Sequence, residues 1–455
     1  MSSPATTAHA PPRPRPRLAD HALRALAAGY LAVLLGLAIA YHGLWFDLSG
    51  GDMLFMVYGA VVVSYITSRF LLSLPYRPPS ARHGLDHEPH VAIVMPAFNE
   101  QEVIAHSLRS LLALDYPRDK LELVAVNDGS TDATLARMTE VAAEEPRVRV
   151  IDLGVNCGKR AAMAVGMRAT DAEILAFVDS DSSVEPDALR RLVQGFADER
   201  VGAICGHADV ANPRDSWLSR MQVVRYFVAF RVVKAAESVF SCVTCCSGCF
   251  SAYRRSAIVP HLERWEHQRF LGSPATFGDD RALTNAVLRD WKVLYASDAI
   301  SHTAVPTGLR QFLKQQIRWK RSWTRESLIL MRFVWRKHPV AALLAYAGIL
   351  ISLVAPIVAI RALLWLPITG ATGWPVIYVV GIYLMALAYG LYYVVRRPVY
   401  DPVWIYGVVF CFFYLAFLLW QTYWAILTAR SSSWGTRPAT ATGHAQPAPS
   451  EGGAA

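Results

Sequence analysis

The 455 residues can hold one large domain or two ordinary ones, with membrane segments besides. Apolar residues make up 53% and charged ones only 18%, against about 25% charged in a typical soluble domain; the deficit sits in separate stretches, which excludes a uniformly apolar globule. The net charge of +9 does not indicate nucleic acid, because neither zinc-finger spacing nor an RNP-type motif accompanies it. The excess gathers at Arg13 to Arg17, Lys314 to Arg325, Arg332, Arg336 and Lys337, flanking apolar runs as on the cytoplasmic side of a membrane protein.

In chain order, residues 1–20 are a Pro- and Arg-rich arm without periodicity. Leu23 to Tyr41 is nearly continuously apolar and long enough to cross a bilayer, and Met53 to Leu74 follows as a second span. Ala38-Ile39-Ala40 has the small-residue spacing of a signal-peptidase site, but the second span following at once favours a hairpin over 21–75 that keeps the arm and the next domain on one side. From 76 to 308 the pattern alternates. Val91 to Met95, Leu121 to Val126, Val148 to Leu153 and Ile174 to Val178 are short strand-like runs, with Glu102 to Leu112 and Ala133 to Ala143 among the helical stretches between them. Such alternation predicts a parallel sheet with helices on its faces and ligands beyond the carboxyl ends of the strands.

Trp217 to Phe240 and Leu309 to His338 are amphipathic and aromatic, suited to a membrane interface and its lipid, or in the first case to a partly buried helix. Val340 to Leu366, Trp374 to Val395 and Val403 to Leu427 read as spans within 339–429; Pro356 and Arg361 interrupt the first of them. The tail over 430–455 carries Trp434 to Arg437 and then loses periodicity.

The chemistry-bearing residues fall at predicted strand ends. Asp179-Ser180-Asp181 offers two carboxylates that can share a hard divalent cation with substrate phosphates. Asp128, in Asn127-Asp128-Gly129-Ser130-Thr131-Asp132, can accept hydrogen bonds from a nucleoside, while Ser130 and Asp132 suit a turn and helix cap. Ala97, Asn99 and Glu100, in Pro96-Ala97-Phe98-Asn99-Glu100, lie in the matching loop. Lys159 can pair with phosphate oxygens. Asp279 and Asp280 enter a helix, where one can be a general base and either can be a cap. Gln315 and Arg318 share a helix face; Arg318 can neutralise a diphosphate and Trp319 can stack on a sugar or base. Cys242, Cys245, Cys246 and Cys249 form two interlocked C-x-x-C steps that can hold zinc, although zinc ribbons set their pairs well apart; reduced thiols in a cytosolic segment are the other reading.

As an ordered set these motifs resemble the processive family-2 glycosyltransferases of GT-A fold, a group that includes cellulose, chitin and hyaluronan synthases. The resemblance covers Val91 to Arg325 with a membrane frame on both sides. It implies an α/β GT-A domain in the cytosol, held between helical spans of the plasma (inner) membrane. It also implies uridine contacts at Asp128, a divalent ion (Mg2+ or Mn2+) on Asp179 and Asp181, Lys159 and Arg318 near the diphosphate, Asp280 as base and Trp319 at the acceptor end. Cys246-Ser247-Gly248 resembles the acceptor-side loop, with Cys249-Phe250 where Pro-Leu is common. Gly278 to Asn285, Lys314 to Glu326 and Trp434 to Arg437 are most similar to the hyaluronan synthases. The implied reaction is inverting transfer from UDP-GlcNAc and UDP-GlcA to a growing polysaccharide. The alternatives are a chitin-type synthase using UDP-GlcNAc alone, and a nucleotide-binding membrane sensor or transporter.

Overall fold

The computed structural model describes residues 18–48, 53–397 and 400–432; Arg13 to Arg17 and Trp434 to Arg437 lie outside them. Among the described residues one eight-stranded sheet forms the centre. Its members are β1 (Val91–Ala97), β2 (Leu121–Asn127), β3 (Val148–Asp152), β4 (Ile174–Phe177), β5 (Ser182–Val184), β6 (Val201–Val210), β7 (Ser251–Arg254) and β10 (Lys292–Thr303). β8 (Arg269–Phe270) and β9 (Ser273–Pro274) pair separately. The order across the large sheet is β3-β2-β1-β4-β7-β6-β10-β5.

The central strands β1 and β4 are apolar without alternation because both their faces are covered. Val91, Ile93, Met95 and Ala97 of β1 join one core, with Ile104 and Leu108 of α3 (Ile104–Leu112) and Met138 of α4 (Thr134–Glu144). Ala92 and Val94 join the opposite core, with Ala162 and Met167 of α5 (Lys159–Arg168). Gly166 lets α5 sit close to the sheet, since a Cβ there would lie 2.4 Å from Val94 Cγ1.

β1 pairs in parallel with β2 on one side and β4 on the other, so the connections diverge there and leave a crevice at the carboxyl ends. The expected parallel sheet carries two reversed strands: β5, antiparallel to β10, and β7, antiparallel to both β4 and β6. For β7 the cause is local. The chain reaches β7 from the crevice end, after the Gly248 carbonyl has accepted the Asp179 N–H (3.1 Å), and it can only run back down.

Helices frame this domain. α1 (Leu18–Leu48) covers the first apolar run, and its Arg24 Nε donates to the Val395 carbonyl of α10 (Trp374–Arg396). Among the described residues three helices are long and apolar enough to cross a membrane: α2 (Met53–Ser73), the run Pro339–Ile368 that begins with α9 (Pro339–Ile360), and α10. Pro402–Leu418 and Gln421–Leu427 pass that test only together and bend by 45° at their break. The division therefore falls in this last segment and not in Val340 to Leu366. There Pro356 is carried within the helix, and a wide π turn at Arg361–Trp365 absorbs the irregularity.

The bent segment and the residues just after it contact α6 (Trp217–Phe227), α8 (Leu309–Met331) and the sheet domain. Gly407 of α11 (Ile405–Phe413) lies against Val224 of α6, where a Cβ would come within 2.8 Å. Phe413 meets Phe312 of α8, ring centroids 5.9 Å apart. Thr422 of α12 (Gln421–Leu427) accepts from Lys320 Nζ, and the Ser432 carbonyl accepts from Thr276 Oγ1.

Candidate active site

The loops after β1 and β2 are joined before any ligand is considered. Asn99 takes a left-handed φ of 54°, which Asn tolerates well; its N–H donates to Ser130 Oγ (3.0 Å) and its Oδ1 accepts from the Thr131 N–H (2.9 Å). The Glu100 N–H donates to Thr134 Oγ1, and the Ala97 carbonyl accepts the Asp128 N–H. Ala97, Asn99, Glu100 and Asp128 thus share one rim.

Asp128 is buried, and its carboxylate accepts the N–H groups of Cys157 (2.8 Å) and Gly158 (3.1 Å). It fixes the turn that starts α5, in which Gly158 has φ +94°. Lys159 is the first residue of α5 and points across the crevice. Its Nζ lies 2.6 Å from Asp179 Oδ1 and 3.3 Å from Asp279 Oδ2. Burial opposes its charge, but Asp179 and then Asp279 raise its pKa, keeping it cationic.

Asp279 and Asp280 open α7 (Asp279–Leu288) and stand in different environments. Burial disfavours charge on Asp279, yet Lys159 and Arg160 hold it below the usual carboxylate range. Asp280 is raised, by burial first and then by the neighbouring Asp279 charge. Its Oδ1 accepts the Arg281 N–H (2.7 Å), and Cys245 Sγ lies 3.6 Å from Oδ2. One carboxylate is committed to an ion pair, and the other keeps an affinity for protons.

Asp181 is exposed at the mouth, but the surrounding protein limits its hydration and Asp179 repels its charge, so its carboxyl is pushed up to about 6. Gly248 borders the Asp179 carboxylate, where any Cβ would come within 2.9 Å of Oδ2. Two oxygen-donor side chains under mutual repulsion, one bordered by a glycine, fit a hard divalent cation. Among the described residues no group of three His, Cys, Asp or Glu gathers to complete a set, so remaining donors would be water and substrate phosphate. A narrow crevice lined by Pro96, Lys159, Asp179, Gly248, Asp279 and Asp280 brings these residues together.

Gln315, Arg318 and Trp319 do not line that crevice; they stand on α8, which is clamped to α7. Gly278, with φ +78°, abuts Ser322 so closely that a Cβ would sit 1.8 Å from its Oγ. Arg325 Nη2 donates to the Phe277 carbonyl (2.6 Å), and Asn285 Nδ2 donates to the carbonyl and Oε2 of Glu326 (both 3.0 Å). Trp319 is 36% exposed, and the Arg225 guanidinium carbon lies 5.1 Å from its ring centroid.

The four crowded cysteines face different neighbours. Cys242 is buried in the core, Cys245 meets Asp280, and the Cys246 N–H donates to Thr284 Oγ1 (2.8 Å). Lys234, buried and not anticipated from sequence, donates to Cys205 Sγ (3.3 Å) and to the Cys245 carbonyl. Burial opposes a thiolate, but Cys246 and Lys234 bring Cys205 down to about 6. A lysine inside the apolar run Val232-Val233-Lys234-Ala235-Ala236 was the available signal.

Residues 92–260 match the family model described as Glycosyl transferase family 2. The chain is 34% identical to hyaluronan synthase of Streptococcus pyogenes over 398 residues, covering 84% of this chain and 90% of that protein. It is 37% identical over 247 residues to an N-acetylglucosaminyltransferase of Azorhizobium caulinodans, covering 54% of this chain and 62% of that one. Its fold is similar to that of the mannosyltransferase PcManGT from Pyrobaculum calidifontis, solved in complex with GDP-Man and Mn2+. The TM-score is 0.54 at 21% identity, covering 87% of this chain and 97% of that chain.

Proposed function

The chain belongs to glycosyl transferase family 2, as an integral membrane glycosyltransferase with a GT-A-like domain, and from that premise we propose that it polymerises hyaluronan from UDP-GlcNAc and UDP-GlcA. The observation that carries this reading of the chemistry is the different surroundings of two adjacent carboxylates: Asp279 is paired with Lys159, and Asp280 is half-buried without a lysine or arginine ion pair among the described residues. Asp279, paired with Lys159, stays ionised and fixes that cation at the crevice floor. Asp280, with its raised proton affinity, takes the proton from the acceptor hydroxyl as that oxygen attacks the anomeric carbon. The bond from the anomeric carbon to the diphosphate oxygen breaks as the new glycosidic bond forms, configuration inverts, and UDP leaves with the bonding pair.

The rim of Ala97, Asn99, Glu100 and Asp128 would receive the uridine, and Lys159, Gln315 and Arg318 would serve the diphosphate. Asp179 and Asp181 would hold a divalent cation (Mg2+ or Mn2+), which supplies charge neutralisation to the leaving group. Trp319 would meet the acceptor end of the chain, and the spans would carry the product outward from a cytosolic domain in the plasma membrane.

The relation to hyaluronan synthase over 84% of the chain supports the two-donor product. The relation to an N-acetylglucosaminyltransferase keeps a second reading, a polymer of GlcNAc alone. Incubating purified protein with single and paired UDP-sugars separates them. The expected result is polymer only with both donors, degraded by hyaluronidase. Polymer from UDP-GlcNAc alone, degraded by chitinase, would establish the second reading.

A further inference from the structure

Among the described residues Arg225 has no carboxylate to pair with. Its guanidinium carbon lies 5.1 Å from the Trp319 ring centroid and 5.8 Å from that of Phe410. Its Nη1 is sealed within the protein and has no hydrogen-bond partner among the described residues. Stacking on an aromatic ring occupies the flat face of a guanidinium and leaves its N–H edge to bind. The neighbours give that edge no carboxylate. Lys320 donates to the Leu418 carbonyl and to Thr422 Oγ1 (2.8 Å), with its ammonium over the Tyr414 ring. Arg321 donates to Thr428 Oγ1 (3.0 Å) and lies 3.4 Å from Ser431 Oγ. These three cations, at the junction of α6, α8 and the bent segment 402–427, form no ion pair among the described residues, whereas Lys159, Arg190 and Arg191 each face carboxylates. A desolvated positive charge left without an anion costs several kcal/mol, unless a ligand supplies one.

We propose that the Arg225 edge beside Trp319 is a binding subsite for the carboxylate of a hexuronic acid residue in the growing chain. The proposal rests on the two-donor reading above and assigns it a specificity residue. Trp319, which that reading sets at the acceptor end, would pack against a sugar ring while the part of the half-buried Arg225 guanidinium that remains accessible donates to the uronate oxygens. Such a charge-assisted, desolvated contact rewards an acidic sugar and gives a neutral GlcNAc in the same place nothing comparable. Lys320 and Arg321 extend the positive lining toward the bent segment. The ammonium of Lys320 is pushed down to about 8, first by burial and then by Arg225, as expected where like charges gather without a counterion.

The test uses the full-length protein in lipid nanodiscs with two probes: a hyaluronan octasaccharide and the same octasaccharide with its carboxyl groups reduced to alcohols. Wild type should bind the uronate form about ten- to a hundredfold more tightly, the range of one good hydrogen bond to a charged group. Arg225→Gln should bring that ratio close to one, and Arg225→Lys should retain part of it. Absence of preference in wild type overturns the proposal, as does an undiminished ratio in Arg225→Gln. If Arg225→Gln does not fold, as judged by its melting curve, Arg225→Lys and the wild-type ratio still decide. Product assays on the same wild-type sample separate the two claims. Copolymer formation with no uronate preference sinks the subsite alone. Chitinase-sensitive polymer from UDP-GlcNAc alone, with a preference that depends on Arg225, sinks the two-donor reading and leaves the subsite.

Discussion

The crevice at the end of β4 and the junction beside Trp319 treat charge in opposite ways. In the crevice the cations face carboxylates: Lys159 spans Asp179 and Asp279, and Arg160 lies in the field of Asp279, Glu326 and Asp280. At the junction Arg225, Lys320 and Arg321 have aromatic rings, carbonyls and hydroxyls instead. The first arrangement can hold its geometry with the site empty. The second carries positive charge that is unrelieved until an anion arrives. For the proposed polymerase this would combine a rigid, neutralised centre with a receptive exit.

The largest test of this contrast is Asp280→Asn. Transfer should fall about a hundred- to ten-thousandfold, the usual contribution of a general base, while UDP binding by calorimetry persists. An inactive Asp279→Asn beside a fully active Asp280→Asn would reassign the base.

Asp181→Asn should abolish turnover and yet stabilise the metal-free protein. The carboxyl is raised from 3.8 to about 6, so the native state binds more protons than the unfolded chain within that window. Stability therefore falls as pH rises from about 4 to about 6, and at neutral pH the charged side chain is a burden. In chelator at pH 7 the variant should melt above wild type; at pH 4 the difference should vanish. Full activity of wild type in excess chelator would refute the cation site.

Gly278→Ala should cost about 1–3 kcal/mol, since it forces a left-handed backbone onto a Cβ and drives that Cβ into Ser322. Thermal denaturation should show the loss, and Gly278→Ala combined with Ser322→Gly should recover only the steric part.

The smallest effect is expected at Lys320. With its ammonium titrating near 8, raising the pH from 7 to 9 removes one of three junction charges. Affinity for a uronate octasaccharide should then drop about two- to fivefold, as for the loss of a partly exposed ion pair. Lys320→Gln should flatten that dependence.

Legibility followed the range of the interactions. The runs Val91 to Met95 and Leu121 to Val126 announced strands because burial on both faces requires unbroken apolar sequence, and the observed strands extend them by two residues and one. The reversed β7 was hidden, since its direction depends on where the loop through Gly248 lies in space. Asp179, Asp181, Asp279 and Asp280 stood out as carboxylates at predicted strand or helix ends. That Lys159 would bridge two of them, and that Arg225 would stack on a tryptophan 94 positions onward, depended on tertiary contacts that no local pattern encodes. Pro356 and Arg361 interrupt the apolar pattern of Val340 to Leu366 without ending the helix, because a π turn accommodates what the sequence made look like a stop.

The clamp between α7 and α8 locks two helices of the site together. Asp280 rides on one helix and Trp319 on the other, and the pair is pinned by Gly278 on Ser322, Arg325 on Phe277 and Asn285 on Glu326. Such a pair behaves as a calliper with locked jaws. If Asp280 is the base and Trp319 the acceptor platform, as proposed, the interval between carboxylate and ring would be set by the protein and not by the polymer, each advance would be gauged against a fixed length, and a chain halted between graduations would present no hydroxyl to the base.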